Sequence, residues 1–339
     1  MILRSGARYL SSVSRRWRRK WQDSSVLNSD MSNAPGASSG DDACATTDMP
    51  DSVGENPDRP TSVPLWQPEL WVQLRGSADW RDLEAGAPYR VSRDAAARIV
   101  ADAVSNGISS RFLGPVPPSE VAMLGDDARE GLVARGLNAR QRAVLELLAS
   151  DARSHDISSC RIYAHEGVTQ FALHLRGRYP YFIGSEYAPE AEAAARIWPV
   201  LVVDITRSGF PDESFDFVLS NDVLEHVPNL DAAFKDTARI LKPSGRLIAT
   251  FPFHWRSETT QVHAIVEDGQ LKHLFPPEYH GNPVDPDGGS LVFQIPGWDV
   301  LARCREAGFR DAWMSFCSSS LAGITARDVS GIFVLEAER

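Results

Sequence analysis

Cysteine is scarce in this chain and its copies are scattered. Cys44, Cys160, Cys304 and Cys317 lie far apart in 339 residues, and no two form a CxxC pair. That spacing excludes a cysteine zinc site or a disulfide framework and fits free thiols in a reducing compartment. Long apolar runs are also lacking. No stretch approaches the roughly 18 residues that cross a bilayer, and the amino terminus has no continuous apolar core of signal-peptide type. A soluble, cytoplasmic protein with no membrane span is expected. An excess of positive charge is missing as well. The formal net charge is -10, which argues against a broad nucleic-acid footprint, and there is no interleaved aromatic and basic pattern of a single-strand binder. His226, His254, His263, His273 and His280 share no HxxxH spacing. A metal-dependent hydrolase is therefore disfavoured, and no metal is expected.

Two amino-terminal stretches lack what a folded segment needs. Residues 1 to 22 contain no acid, only Arg4, Arg8, Arg15, Arg16, Arg18, Arg19 and Lys20 among serines. This composition suits an organellar transit peptide, a disordered basic arm touching an acidic surface, or an artefact if translation begins at Met31. Residues 23 to 63 are poor in aromatics and large aliphatics, and cannot bury enough apolar surface to offset the entropy of ordering. Residues 1–63 are expected as a disordered basic arm and low-complexity linker.

What is present begins with enough apolar content, 43% of residues, for a real core. Aromatics return at Trp66, Trp71, Trp80 and Tyr89. Ser92 is placed to cap a helix bearing Ala96, Ile99, Val100, Ala103 and Val104 and ended by Asn106-Gly107. Gly114-Pro115-Val116-Pro117-Pro118 is a break, and Asn138 caps a second helix. Residues 64–150 are expected as a helical accessory region, either a lid over substrate or ordinary core helices. Residues 151–339 then alternate. Strands are expected at Cys160 to Ala164, Tyr181 to Glu186 and Val200 to Asp204, with helices from Gln170 and Ala188 between them.

The stretch from Phe210 to Phe253 is the most informative. Phe215-Asp216-Phe217-Val218-Leu219 is a buried-strand run ending at Ser220-Asn221-Asp222. Asn229 can cap an amphipathic helix with Leu230, Ala233, Phe234, Thr237, Ile240 and Leu241 on one face. Lys242-Pro243-Ser244-Gly245 stops it, and Arg246 to Phe251 is a second strand. Strand, helix, strand at these lengths is a parallel crossover, so the fold class is α/β, a doubly wound sheet with a helical amino-terminal extension. In such sheets ligands bind beyond the carboxyl ends of the strands. Here those ends carry Asn221, Asp222, Glu225, His226 and His254. After Phe253 comes a long polar insertion of the kind that carries substrate contacts, then a helix from Val300 and a last strand from Ile332.

The segment SFDFVLSNDVLEHVPNLDAAFKDTARILKPSGRLIATFPF resembles the second half of a class I S-adenosylmethionine-dependent methyltransferase domain of the type 11-like kind, in its FD-x-V, V-L-E-H-V and L-K-P-x-G-x-L signatures. The likeness is close over 200 to 253 and traceable from 160 to 339. The resemblance implies a Rossmann-like sheet and S-adenosyl-L-methionine as cofactor. It also implies Glu186 at the ribose diol, Asp204 and Ile205 at the adenine, Asn221 near the methionine portion, and Glu166 and Gly167 in the loop after the first strand. That loop departs from the family. The expected E/D-x-G-x-G-x-G reads Tyr163-Ala164-His165-Glu166-Gly167-Val168-Thr169, so only the middle glycine remains. His165 and Thr169 are expected to fill space that glycines leave to the cofactor.

The reaction the resemblance implies is in-line methyl transfer to an O or N atom of a small molecule or glycan, with His226, His254 and His280 as candidate bases. The alternative is a catalytically silent methyltransferase-like interaction module.

Overall fold

Phe217, Val218 and Leu219 are fully buried and Phe215 nearly so, and a strand apolar on both faces has to be covered on both. The computed structural model describes residues 69–339. The basic arm and linker expected over 1–63, together with Leu65 and Trp66, lie outside the described residues. The main sheet contains β1 (Glu69–Leu74), β2 (Arg161–Ala164), β3 (Tyr181–Glu186), β4 (Leu201–Val202), β5 (Phe215–Asn221), β6 (Leu241–Thr250), β7 (Asp311–Ser319) and β8 (Ile332–Glu338), in the order β1-β7-β8-β6-β5-β2-β3-β4. β6, β5, β2, β3 and β4 run parallel, and β8, β7 and β1 are added antiparallel. The strand order reverses between β2 and β5, which is where such a sheet opens a binding crevice at its carboxyl edge. The doubly wound α/β sheet expected from the sequence is present.

The helices follow their caps. They are α1 (Ser77–Gly86), α2 (Arg93–Asn106), α3 (Ala139–Ser150), α4 (Gln170–Arg178), α5 (Ala191–Arg196), α6 (Leu230–Ile240) and α7 (Val300–Glu306). The Ser92 side chain accepts from Ala95 N, Asn138 and Gln141 form a reciprocal capping box, and Asn229 accepts from Ala232 N. On α6, Leu230, Ala233, Phe234, Thr237 and Ile240 are all buried, as the spacing predicts.

Four expectations change in detail. First, the region expected as helical and accessory supplies β1, which pairs with β7 from Glu69↔Ser319 to Leu74↔Met314. Its α3 puts Val144, Leu145 and Leu148 into the same apolar cluster as Ile162, Phe217, Ile248 and Val334. Arg142 on that helix is buried and donates to the carbonyls of Leu132, Leu137, Ala322 and Gly323. Second, β4 is only Leu201–Val202, because the Asp204 carboxylate accepts from the backbone and hydroxyl of Thr206 and turns the chain early. Third, Lys242 to Gly245 is part of β6, with a register slip between Leu241 and Arg246 and Ser244 at φ 62°. Fourth, the polar insertion holds three short ladders: Gln261–Val262 with Gln294–Ile295, Ala264–Glu267 with Gln270–His273, and Tyr279–His280 with Ser290–Leu291. The second turns through Asp268-Gly269, both at positive φ, as a two-residue hairpin demands. Among the described residues, no helix is long and apolar enough to cross a membrane.

Candidate active site

The loop from β2 to α4 is pinned by contacts that glycine alone permits. A Cβ on Gly167 would lie 2.6 Å from Val200 Cγ1 and 3.1 Å from the Gly184 carbonyl carbon, and one on Gly184 would lie 2.5 Å from Glu166 O. The one glycine kept in the loop thus serves its packing onto β3. Glu186, at the end of β3, draws the same loop in, since its Oε1 accepts from Gly167 N at 2.8 Å and Val168 N at 3.1 Å. Burial still pushes the Glu186 carboxyl upward, and the two backbone bonds oppose that shift.

Glu166 is buried beside it. Its Oε1 accepts from Asn221 Nδ2 at 2.7 Å and its Oε2 from Thr169 Oγ1 at 2.5 Å. Burial raises its pKa against these two bonds. The Thr169 hydroxyl also accepts from Ala172 N. Expected as an obstacle, Thr169 therefore spends its side chain on capping α4 and holding Glu166. His165 is buried edge-on to Tyr163, with neither ring nitrogen hydrogen-bonded, and desolvation lowers its pKa to about 4.

Beyond β5 the chain turns through Asp222 at φ 50°. Arg129, from the helical turn Ala128–Gly131, grips its carboxylate at 2.6 and 2.7 Å, and Arg140 on α3 lies at 3.2 Å. Burial alone would raise the Asp222 pKa, but the two guanidiniums win and hold it well below the carboxylate range. No local pattern signals this clamp, since Arg129 lies 93 residues from Asp222 in the chain.

Glu225 is different. It is fully buried, and neither carboxylate oxygen accepts a hydrogen bond. Two imidazoles face it, with His226 Nε2 at 3.5 Å and His280 Nδ1 at 3.4 Å from Oε1. The other nitrogen of each ring is held from behind. His226 Nδ1 meets Leu291 O at 2.9 Å, and His280 Nε2 meets Glu278 Oε1 at 3.3 Å. The register Tyr279↔Leu291 and His280↔Ser290 fixes this arrangement, so the polar insertion delivers half of it. Proximity to Glu225 raises the His280 pKa, burial opposes it, and Glu278 adds to the rise. Burial raises that of Glu225, with His280 opposing.

An open cleft of about 1650 Å³ joins these parts, lined by Glu166, Glu186, Asp204, Ile205 and Asn221 as well as His226, His254 and His280. All the sequence-derived candidates except Gly167 line it. Asp204 and His254 are exposed, and His254 lies outside the Glu225–His226–His280 group. His263 is largely buried against Phe275, and His273 is exposed in a hairpin. Sequence reasoning placed Asp222 and Glu225 at a strand end but passed over Glu278 and the two arginines, Arg129 and Arg140, that clamp Asp222. For Glu225 the available signal was a charge set between Leu224 and Val227, both buried.

A parallel sheet that reverses order at β2 and β5, with acids from successive strand ends facing one crevice, is the architecture of a class I S-adenosylmethionine-dependent methyltransferase domain, and the chain carries one. Residues 166–249 match the family described as "Methyltransferase domain", and the chain is an S-adenosylmethionine-dependent methyltransferase. A demethylmenaquinone methyltransferase of Mycolicibacterium vanbaalenii is 26% identical over 164 residues, 46% of this chain and 71% of that protein. One of Mycobacterium tuberculosis is 28% identical over 134 residues, 39% of this chain and 56% of that protein. Among solved structures, an S-adenosylmethionine-dependent methyltransferase from Mesorhizobium loti covers 57% of this chain and all of its own at 16% identity, with a TM-score of 0.35, an overlap too loose to bear on function.

The residues present fit the cofactor. Both loop bonds to Glu186 fall on Oε1, so neither occupies Oε2. Asp204 and Ile205 line the cleft one strand further on.

Proposed function

We propose that the chain methylates a hydroxyl or amine of a small molecule or glycan. The observation that carries this reading is that one cleft brings strand-end acids together with a second wall of imidazoles. On the first wall, Glu186 would take the ribose hydroxyls, Asp204 the adenine amine with Ile205 against the ring, and Asn221, held by Glu166, the methionine end. S-Adenosylmethionine supplies a methyl group already activated on sulfonium. The chain's own part is to orient the acceptor and exclude water. The acceptor would lose its proton toward the cleft, where His254 is exposed to receive it. The name of the relatives, demethylmenaquinone methyltransferase, supports a small-molecule acceptor. A reducing compartment such as the cytoplasm belongs to the same reading, since Cys160, Cys304 and Cys317 are buried free thiols.

Calorimetric titration with S-adenosylmethionine and S-adenosylhomocysteine, on the native chain and on Glu186→Ala, tests the cofactor wall. Binding that weakens at least about 100-fold in the variant is expected, the loss of a charged bidentate contact. No heat from a folded native chain would sink the reading. Mass-spectrometric screening of acceptors for a gain of one methyl then resolves the acceptor class.

A further inference from the structure

The Glu225 carboxylate poses a problem that the methyl-transfer reading does not solve. A fully buried carboxylate normally finds donors, because stranding it costs the full desolvation of the group. Both oxygens of Glu225 lack a hydrogen bond, yet Oε1 has imidazole nitrogens at 3.4 and 3.5 Å. Those separations are long for hydrogen bonds. They are the right length for something else: two ligands bound tetrahedrally to one ion at zinc-type bond lengths sit about 3.4 Å apart.

We infer that Glu225, His226 and His280 form a binding site for a divalent first-row transition cation of zinc type. Glu225 Oε1, His226 Nε2 and His280 Nδ1 are the donor atoms, and these atoms all lie within 4.8 Å of one another. The second layer is already in place. His226 Nδ1 donates to Leu291 O and His280 Nε2 faces the Glu278 carboxylate. A ligating histidine needs this arrangement, with its far nitrogen tied to an oxygen so that the near one presents its lone pair. Three protein ligands leave a position open. It opens toward the cleft, since His226 and His280 line the cleft while Glu225 stands behind them. An acceptor oxygen or nitrogen bound there would be polarised and oriented toward the cofactor wall. The inference rests on the methyltransferase reading only for this last role. The ion site itself stands on the geometry.

The test uses the full chain, stripped with a chelator and titrated with Co²⁺ and Zn²⁺. Visible absorption bands report cobalt coordination, calorimetry reports zinc, and elemental analysis reports stoichiometry. One ion per chain is expected. Glu225→Gln and His226→Asn should each weaken binding at least 100-fold, Glu278→Gln about 10-fold, and His174→Gln, half-buried on α4 and outside the group, not at all. Circular dichroism checks that each variant is folded. No cobalt bands in the native chain, or a Glu225→Gln variant that binds as the native chain does, overturns the site. S-Adenosylmethionine is titrated in parallel. Cofactor binding without metal binding removes the ion and keeps the enzyme reading, and metal binding without cofactor binding does the reverse.

Discussion

Three buried carboxylates and one nearly buried, Asp222, stand around one cleft, and they differ in what answers their charge. At the cofactor wall, Glu166 has an amide and a hydroxyl, and Glu186 has two backbone N–H groups. At the turn after β5, Asp222 has two guanidiniums. At the acceptor wall, Glu225 has only two imidazole nitrogens, at 3.4 and 3.5 Å, long for hydrogen bonds. The carboxylates of the first wall are satisfied by the chain itself, so their donors already fix their positions. The second wall is complete only with a further group. The buried base His165 is the counterpart of Glu225 on the cofactor wall, unpaired and held neutral instead.

The largest effect should come from the best-paired acid. Asp222→Asn leaves Arg129 and Arg140 with only the exposed Glu130 as counter-charge, and urea unfolding at neutral pH should register a loss of about 3 kcal/mol, the low end for breaking a buried pair. Because the folded pKa of Asp222 is depressed, its contribution is fully present above the unfolded value, about 3.9, and is lost progressively as pH falls from there through the folded value. A loss under 1 kcal/mol, on the order of a surface pair, would dissolve the contrast between the walls.

His165 tests the pH range just above. Its folded pKa is about 4 against an ordinary 6.5, so the unfolded chain takes the proton first and stability falls as pH drops from 6.5 to 4. Roughly 3 kcal/mol is at stake. His165→Leu should flatten that limb, measured by unfolding midpoints at pH 7 and 4.5, and an unchanged slope would show that the ring is not neutral and buried.

Glu166→Gln comes next. A glutamine side chain cannot accept from both Asn221 and Thr169, so a loss of about 2 kcal/mol is expected in denaturant titration. Smallest of all is Glu225→Gln in the chelated protein. It breaks no hydrogen bond, and its cost should stay below about 1 kcal/mol. If Glu225→Gln is as costly as Glu166→Gln, the two walls are alike after all.

The sheet was legible in the sequence because its central strands are apolar on both faces and its helices announce themselves by Ser92, Asn138 and Asn229. The placement of Glu186, Asp204 and Asn221 along one side of the cleft was legible too, since they fall at successive strand ends. The acceptor wall was only half legible. His226 and His280 are 54 positions apart in the chain, and what joins them is the short ladder that sets His280 opposite Ser290. A two-residue ladder has no periodicity to read. The Asp268-Gly269 hairpin did carry its signal, a DG pair between Glu267 and Gln270, but the surrounding polar residues masked it. The Arg129 and Arg140 clamp left no trace, because ion pairs across long separations impose no local pattern.

The strand β1 has a consequence for assembly. It covers all but the first three residues of β7, a nine-residue strand whose side chains are nearly all buried. Cut the chain after residue 74, and that strand becomes an open row of unpaired amides and carbonyls at the rim of a large sheet. The opposite rim, β4, is two residues long and offers little to pair with. A truncated chain would therefore have one sticky side and one blunt one, and copies would join through β7 in pairs, rim to rim, instead of growing into a continuous ribbon.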